Sequence, residues 1–570
     1  MQKAEKFRNQ GEKRLKPHWI TLGDKFDQTA KRFPNRDACV HVERGVRYTY
    51  QSLQKAANQF AKGLLSLGLE KGDHLAIWAP SIPEWILTQI AAGKIGTPLV
   101  TINPQYQIDE LRYVLQYSDT RTLVLIEKDK NVDYLKMLIE LCPSLFDSKP
   151  DQLCFETFPN LKEVILIPVN SAEEGIVSET PCRGAYLFEE ILKSGETISD
   201  GVLFKRQQLC QPEDILKLVF TSGTTGAPKG VMVTHYGFLN NGYLGTSVQG
   251  FSEKDRLCTA IPFHYVFTMT GLLGCFCHGA AIVCPSDTFD PLKTLAAIEN
   301  EQCTAIYAVP SMLVSMMEHP EFNRFDLSSL RTGVVGGAVI PIDLMRRILE
   351  KLGIREITVS YGQSENSGFV TQSMRDDSPE VRAATVGKAL PFVEVKIVNP
   401  ETGEILPPEN QGELCYKGFL MKGYYKMPGP TARAIDSDGW LHSGDLAQID
   451  RNGYIRIVGR IKDVIQKDGE SIFPIEIEEV LCTHPKVLDV QAIGVPDSQH
   501  HEEIAAWIRL REGEQATMDE IMNFLKGKLL EKYHPRYIKF VSSFPLTSTG
   551  KVQRFKLREE SIREWDLEGP

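Results

Sequence analysis

Residues 219-VFTSGTTGAPKGVMVTHYG-237 set a loop of hydroxyls, glycines and one lysine between two β-branched runs. Glycines let backbone N–H groups crowd toward an anion, hydroxyls add donors and a lysine adds charge, so the loop reads as a phosphate cradle. A phosphate loop of the G-x-x-x-x-G-K-[ST] type opens a helix and needs a hydroxyl after its lysine. Here Lys229 follows Pro228 and precedes Gly230, and 231-VMVT-234 reads as strand. The loop therefore joins two strands; the plainer alternative is a glycine-rich surface hairpin.

Outward from the loop, strand and helix patterns alternate. On the N-terminal side, 48–69 and 84–96 have helical apolar spacing, while 74–80, 98–104, 122–127, 163–168 and 215–220 are short apolar runs of strand type. The alternation resumes over about 255–340. It predicts an α/β fold with mostly parallel sheets. Near residue 393 the pattern changes to an antiparallel, barrel-like part: 393-VEVKIVNPETGEIL-406 reads as strand, turn and strand, followed by 412-GELCYKG-418. Beyond 460, helices at 475–484 and 518–529 and strands at 488–496 and 504–510 predict a small α+β domain.

With 570 residues the chain exceeds one ordinary core. A net charge of −10 argues against an extended nucleic-acid footprint and against an anionic membrane as partner. The 12 cysteines are scattered, with no CxxC and no zinc-type spacing, and read as reduced thiols of a cytoplasmic protein. The N-terminal segment is basic but carries Glu5 and Glu12 and is not a secretory signal. The longest apolar run, 269–284, is interrupted by His278 and glycines, too short to span a bilayer, and reads as buried helix and strand.

TSGTTGAPKG resembles the signature loop of the adenylate-forming superfamily of acyl-CoA synthetases, peptide-synthetase adenylation domains and firefly luciferase. Four further stretches, 361-YGQSE-365, 439-GWLHSGDL-446, 459-GRIKDVI-465 and 548-STGKVQR-554, resemble the superfamily's other motifs in the same order. Within it, 360-SYGQSENS-367 and 473-FPIEIEEVLCTHPKV-487 are most similar to the medium-chain fatty acyl-CoA synthetases.

The resemblance implies a two-step reaction with ATP, Mg²⁺ and CoA. A carboxylate attacks the α-phosphate to give acyl-adenylate and pyrophosphate, and a thiol then displaces AMP. The substrate is the nucleophile, so catalysis is positioning and charge neutralisation. By resemblance, Thr221, Ser222, Gly223, Thr224, Thr225, Gly226 and Lys229 hold the β- and γ-phosphates, Glu365 is the magnesium-linked carboxylate, and Tyr361 lies against adenine. Gly336, Gly337 and Ala338 give close approach to the backbone, Asp445 accepts the ribose hydroxyls, and Arg460 adds a contact there. Lys551 stabilises the α-phosphate during adenylation.

The resemblance also implies a large domain over 1–459, a hinge at 460–462 centred on Lys462, and a small mobile domain over 463–570 that swings after adenylation. Gly469 would then line a pantetheine tunnel, although Asp468-Gly469 is equally a turn pair.

The acyl pocket is expected among 261–271, 305–312 and 334–339, with His264 at a position that gates carboxylate entry. Acetate enzymes carry Trp where this chain has Gly362, which predicts a deep pocket. No acid lies in 263-FHYVF-267 to pair with an amino group, which disfavours amino-acid substrates. An aromatic or branched acid, a carrier-protein thiol as acceptor, and a non-catalytic nucleotide-binding protein remain as alternatives.

Overall fold

The computed structural model describes residues 15–169, 182–221, 228–338, 340–497, 499–545 and 552–567. Two large sheets dominate. The first has seven strands, with Glu163–Ile167, Thr120–Ile126, His74–Trp78, Leu99–Ile102 and Ile215–Thr221 running parallel through its middle. Lys229–Thr234 closes one edge antiparallel to Ile215–Thr221, in a register that sets Thr221 opposite Lys229. The signature loop is thus the tip of an edge hairpin. The second sheet has nine strands, parallel in its interior, and ends on Glu356–Gln363, Gly368–Gln372 and Lys388–Ala389.

One core runs through both sheets and the helices Tyr50–Ser66, Pro83–Ile95, His235–Val248 and Val266–His278. The last three are buried over most of their circumference, as expected of helices covered on more than one side. Thr234 ends the edge strand and starts a helix: its hydroxyl accepts the Gly237 N–H at 3.0 Å and caps His235–Val248. No helix among the described residues is long and apolar enough to cross a membrane. All twelve cysteines are free thiols.

The barrel-like part of the expectation corresponds to a four-stranded antiparallel sheet of Glu394–Val398, Gln411–Lys417, Leu441–Ile449 and Ile455–Arg460. One reading is corrected here. Residues 404–406 form no strand, only a single bridge between Val398 and Ile405; Glu394–Val398 pairs instead with Gln411–Lys417. Pro407 and Pro408, which lack the N–H a ladder needs, follow at once.

After Arg460 the chain makes a 3₁₀ turn, Ile461–Asp463, and enters another sheet at Ile465–Lys467. This five-stranded sheet, with the helices Pro474–Cys482, Met518–Leu525 and Arg554–Glu564, has its own cores, one around Ile477, Val490 and Ile508 and another around Trp507 and Leu557.

Candidate active site

The candidate residues gather where the edge hairpin, the end of the nine-stranded sheet and the antiparallel sheet meet. Asp445 lies on Leu441–Ile449 and is 4% exposed. Its Oδ2 accepts the Tyr361 hydroxyl at 2.5 Å and the Gln363 amide at 2.8 Å, and its Oδ1 faces Arg460 Nε at 3.1 Å. Arg460 is its cross-strand partner. Gln363 also donates to the Ser443 carbonyl at 3.1 Å and accepts the buried Tyr416 hydroxyl at 2.8 Å. Tyr361 and Gln363 alternate along one strand, so one face carries both to the same carboxylate. Burial and the Asp445 charge push the Tyr361 phenol well above its ordinary range, so it stays a donor.

A second knot forms around Tyr424. Its hydroxyl donates to Glu365 Oε1 at 2.8 Å, and Lys229 Nζ sits 4.8 Å from its ring centroid. The loop lysine and the candidate metal carboxylate thus converge on one side chain. Tyr113 secures the loop's far end by donating to the Pro228 carbonyl at 3.0 Å. At the near end, the Thr221 hydroxyl reaches the Lys229 carbonyl at 3.4 Å. Ser222, Gly223, Thr224, Thr225, Gly226 and Lys551 lie outside the described residues, so their expected roles rest on the resemblance alone.

Of the remaining residues, Gly336 is buried and packs so closely that a Cβ would stand 2.9 Å from the Ser360 carbonyl. Gly337, at φ +86°, and Ala338 are exposed. Gly469 has φ +78°, follows Asp468 at φ +54°, and ends the hairpin of Ile465–Lys467 and Glu470–Ile472. That geometry is a two-residue turn with both φ positive, which accounts for the glycine locally. Lys462 lies in the 3₁₀ turn, its pKa lowered by burial.

Gly362 has a local packing reason beside the pocket depth expected from the sequence. A Cβ there would stand 1.8 Å from the Gly368 carbonyl oxygen of the adjacent strand. Close backbone packing at a bulge in the ladder favours a glycine on this backbone, beside whatever it does for pocket depth.

His264 is buried, rests against the Tyr265 ring at 3.9 Å, and finds no hydrogen-bond partner among the described residues for either ring nitrogen. Burial, with Lys217 nearby, lowers its pKa to about 3, so it is neutral. Lys217 is the residue sequence reading missed. It is fully buried in Ile215–Thr221, has no hydrogen-bond partner for its amine among the described residues, and lies 4.8 Å from the Trp85 ring and 5.6 Å from the Phe238 ring. Its signal was one lysine inside 215-ILKLVF-220, a run that a parallel sheet buries on both faces.

Burial holds the Lys217 amine well below its ordinary 10.5. The folded chain thus binds fewer protons than the unfolded one; the penalty is greatest at low pH and fades as pH rises toward 10.5. Lys217→Met is therefore expected to stabilise the fold by about 1–3 kcal/mol near neutral pH. In urea unfolding the gain should shrink at about pH 9.5. A gain that does not vary with pH would show that Lys217 is not titrating on unfolding.

The AMP-binding enzyme profile matches residues 26–425, and the profile of the AMP-binding enzyme C-terminal domain matches 476–551. The chain belongs to the AMP-binding enzymes. Among relatives of this family, YngI of Bacillus subtilis, provisionally named an acyl-CoA synthetase, is 42% identical over 96% of this chain and 98% of its own. The human mitochondrial protein named medium-chain acyl-CoA ligase ACSF2 is 37% identical over 96% of this chain and 88% of its own. Among solved structures, the anthranilate CoA ligase AuaEII in complex with anthranoyl-AMP superposes with a TM-score of 0.82 at 24% identity, covering 97% of this chain and 99% of that one. It places this AMP-binding enzyme in the adenylate-forming fold.

Proposed function

We propose that this chain is an ATP-dependent, AMP-forming acid–thiol ligase that joins a medium-chain fatty acid to CoA. The observation that carries the reading is the meeting of two polar knots, Asp445 with Tyr361, Gln363 and Arg460, and Glu365 with Tyr424 and Lys229. The first knot can bind a ribose: a carboxylate pre-oriented by three donors keeps one free lone pair for a hydroxyl, and a second hydroxyl would displace one of those donors. The second offers a cation and a carboxylate for the phosphate end. Glu365 suits magnesium, a hard ion that prefers oxygen donors and, once bound, neutralises phosphate charge. Neutral His264 and the apolar rings around it give the acid an uncharged approach. The medium-chain preference is drawn from the human relative's name.

Movement belongs to the same proposal. A single 3₁₀ turn links the four-stranded sheet to the five-stranded one, which suits a division into 1–459, a hinge at 460–462 around Lys462, and 463–570. Free thiols throughout suit a reducing compartment, and we place the chain in the cytoplasm.

The test is AMP release from ATP over straight, branched and aromatic carboxylates, with and without CoA. A CoA-dependent maximum at medium chain length is expected. A maximum on an aromatic acid would replace the substrate, and full turnover only with a carrier-protein thiol would replace CoA. ATP binding without turnover of any acid would overturn the ligase reading.

A further inference from the structure

On the outer side of the ribose-facing strand, three side chains of different chemistry aim at one point. Cys415 and His442 are directly opposed across Gln411–Lys417 and Leu441–Ile449, and Glu413 lies two residues before Cys415 on the same face. Cys415 Sγ is 3.4 Å from His442 Nδ1, and Nδ1 is 2.8 Å from Glu413 Oε2. The three ligand atoms all lie within 4.8 Å of one another. We infer that Glu413, Cys415 and His442 form a binding site for a thiophilic divalent transition ion, zinc foremost.

The spacing supports this. With bonds of about 2.0–2.3 Å, a tetrahedral zinc ion holds its ligand atoms about 3.4–3.6 Å apart. The sulfur–nitrogen separation is already there. The nitrogen–oxygen pair, now bridged by a proton, has to open by about half an ångström. A sulfur and an imidazole among the donors disfavour magnesium and calcium.

The surroundings are those of a ligand set held from outside. His442 Nε2 faces Asp436 Oδ2 at 3.6 Å, and Glu413 Oε1 accepts the Gly444 N–H at 2.9 Å. A carboxylate behind a histidine and a backbone donor behind a carboxylate are the outer contacts that orient metal ligands. Cys415 is buried beneath Trp440, whereas His442 is 31% exposed, which opens a path for the ion and a water as fourth ligand. Binding expels the Cys415 thiol proton to solvent. His442 shifts its proton from Nδ1 to Nε2, toward Asp436. Affinity therefore rises with pH.

The test uses the full-length reduced chain with excess Mg²⁺ present, titrated with Co²⁺. One equivalent should raise a sulfur-to-cobalt charge-transfer band in the near ultraviolet, which Zn²⁺ then abolishes by displacement. Cys415→Ser and, independently, His442→Gln should lose it, so misfolding of either variant leaves the other as a test. Cys154→Ser, at the one exposed cysteine, should keep it. Asp436→Asn should weaken binding about 10-fold. A band that survives in folded Cys415→Ser, or no band in the parent chain, would overturn the site.

Discussion

Replacing Lys551 with alanine is expected to slow acyl-adenylate formation by about 10²–10³-fold, the usual loss when a group that meets developing charge is removed. The same variant should convert supplied acyl-adenylate and CoA to thioester at the parent rate. Gly469→Trp should do the reverse: normal pyrophosphate release from ATP and acid, but poor thioester formation. The two half-reactions are measured separately, one by pyrophosphate and one by acyl-CoA. The contrast follows from the proposed swing, which brings Lys551 to the site for the first step and the Asp468–Gly469 turn for the second. The open space around Gly469 means that an added Cβ meets no described atom within 4 Å. Its main intramolecular cost is therefore the positive φ, about 1 kcal/mol. If both variants damage both steps equally, the swing is wrong.

Asp445→Ala should raise KM for ATP by about 10²-fold, because two hydrogen bonds from ribose to a charged acceptor are lost at about 1.5–3 kcal/mol each and part is recovered by water. The same substitution strands Arg460 and leaves the Tyr361 and Gln363 donors unpaired. A purely structural carboxylate would lower the unfolding midpoint and leave KM alone. Asp445→Asn keeps the shape and one acceptor while removing the charge, so an intermediate KM with near-parent stability is expected. Steady-state kinetics at varied ATP, beside a thermal melt, separates the two outcomes.

Much of this site is legible from local sequence because its groups sit in short motifs. Tyr361 and Glu365 share one stretch of five residues, and Asp445 lies in another of eight. The strands 74–78, 120–126, 163–167 and 215–221 announce themselves as apolar runs, since a parallel sheet covers both faces. What was not legible depends on contacts between distant segments. Tyr424 bonds Glu365 across 59 residues, and Tyr416 bonds Gln363 across 53, in segments whose local pattern says only strand or turn. Gly362 was visible as a glycine, but its close approach to the carbonyl of a neighbouring strand was not. Residues 404–406 have strand composition, yet ladder pairing is decided by the partner, and the next strand had more of it to offer.

The pair Asp445–Arg460 carries one further consequence. Arg460 is the last residue of its strand, and the connecting turn starts at the next position. The carboxylate proposed to grip the nucleotide therefore also fastens the doorpost on which the C-terminal part hangs. With a sugar competing for its oxygens, as proposed, Asp445 would hold Arg460 less tightly, and the post would gain play while the product is aboard. Departure of the product would restore the grip. Under the proposed swing, clearing the site and resetting the C-terminal part would then be coupled through a single carboxylate.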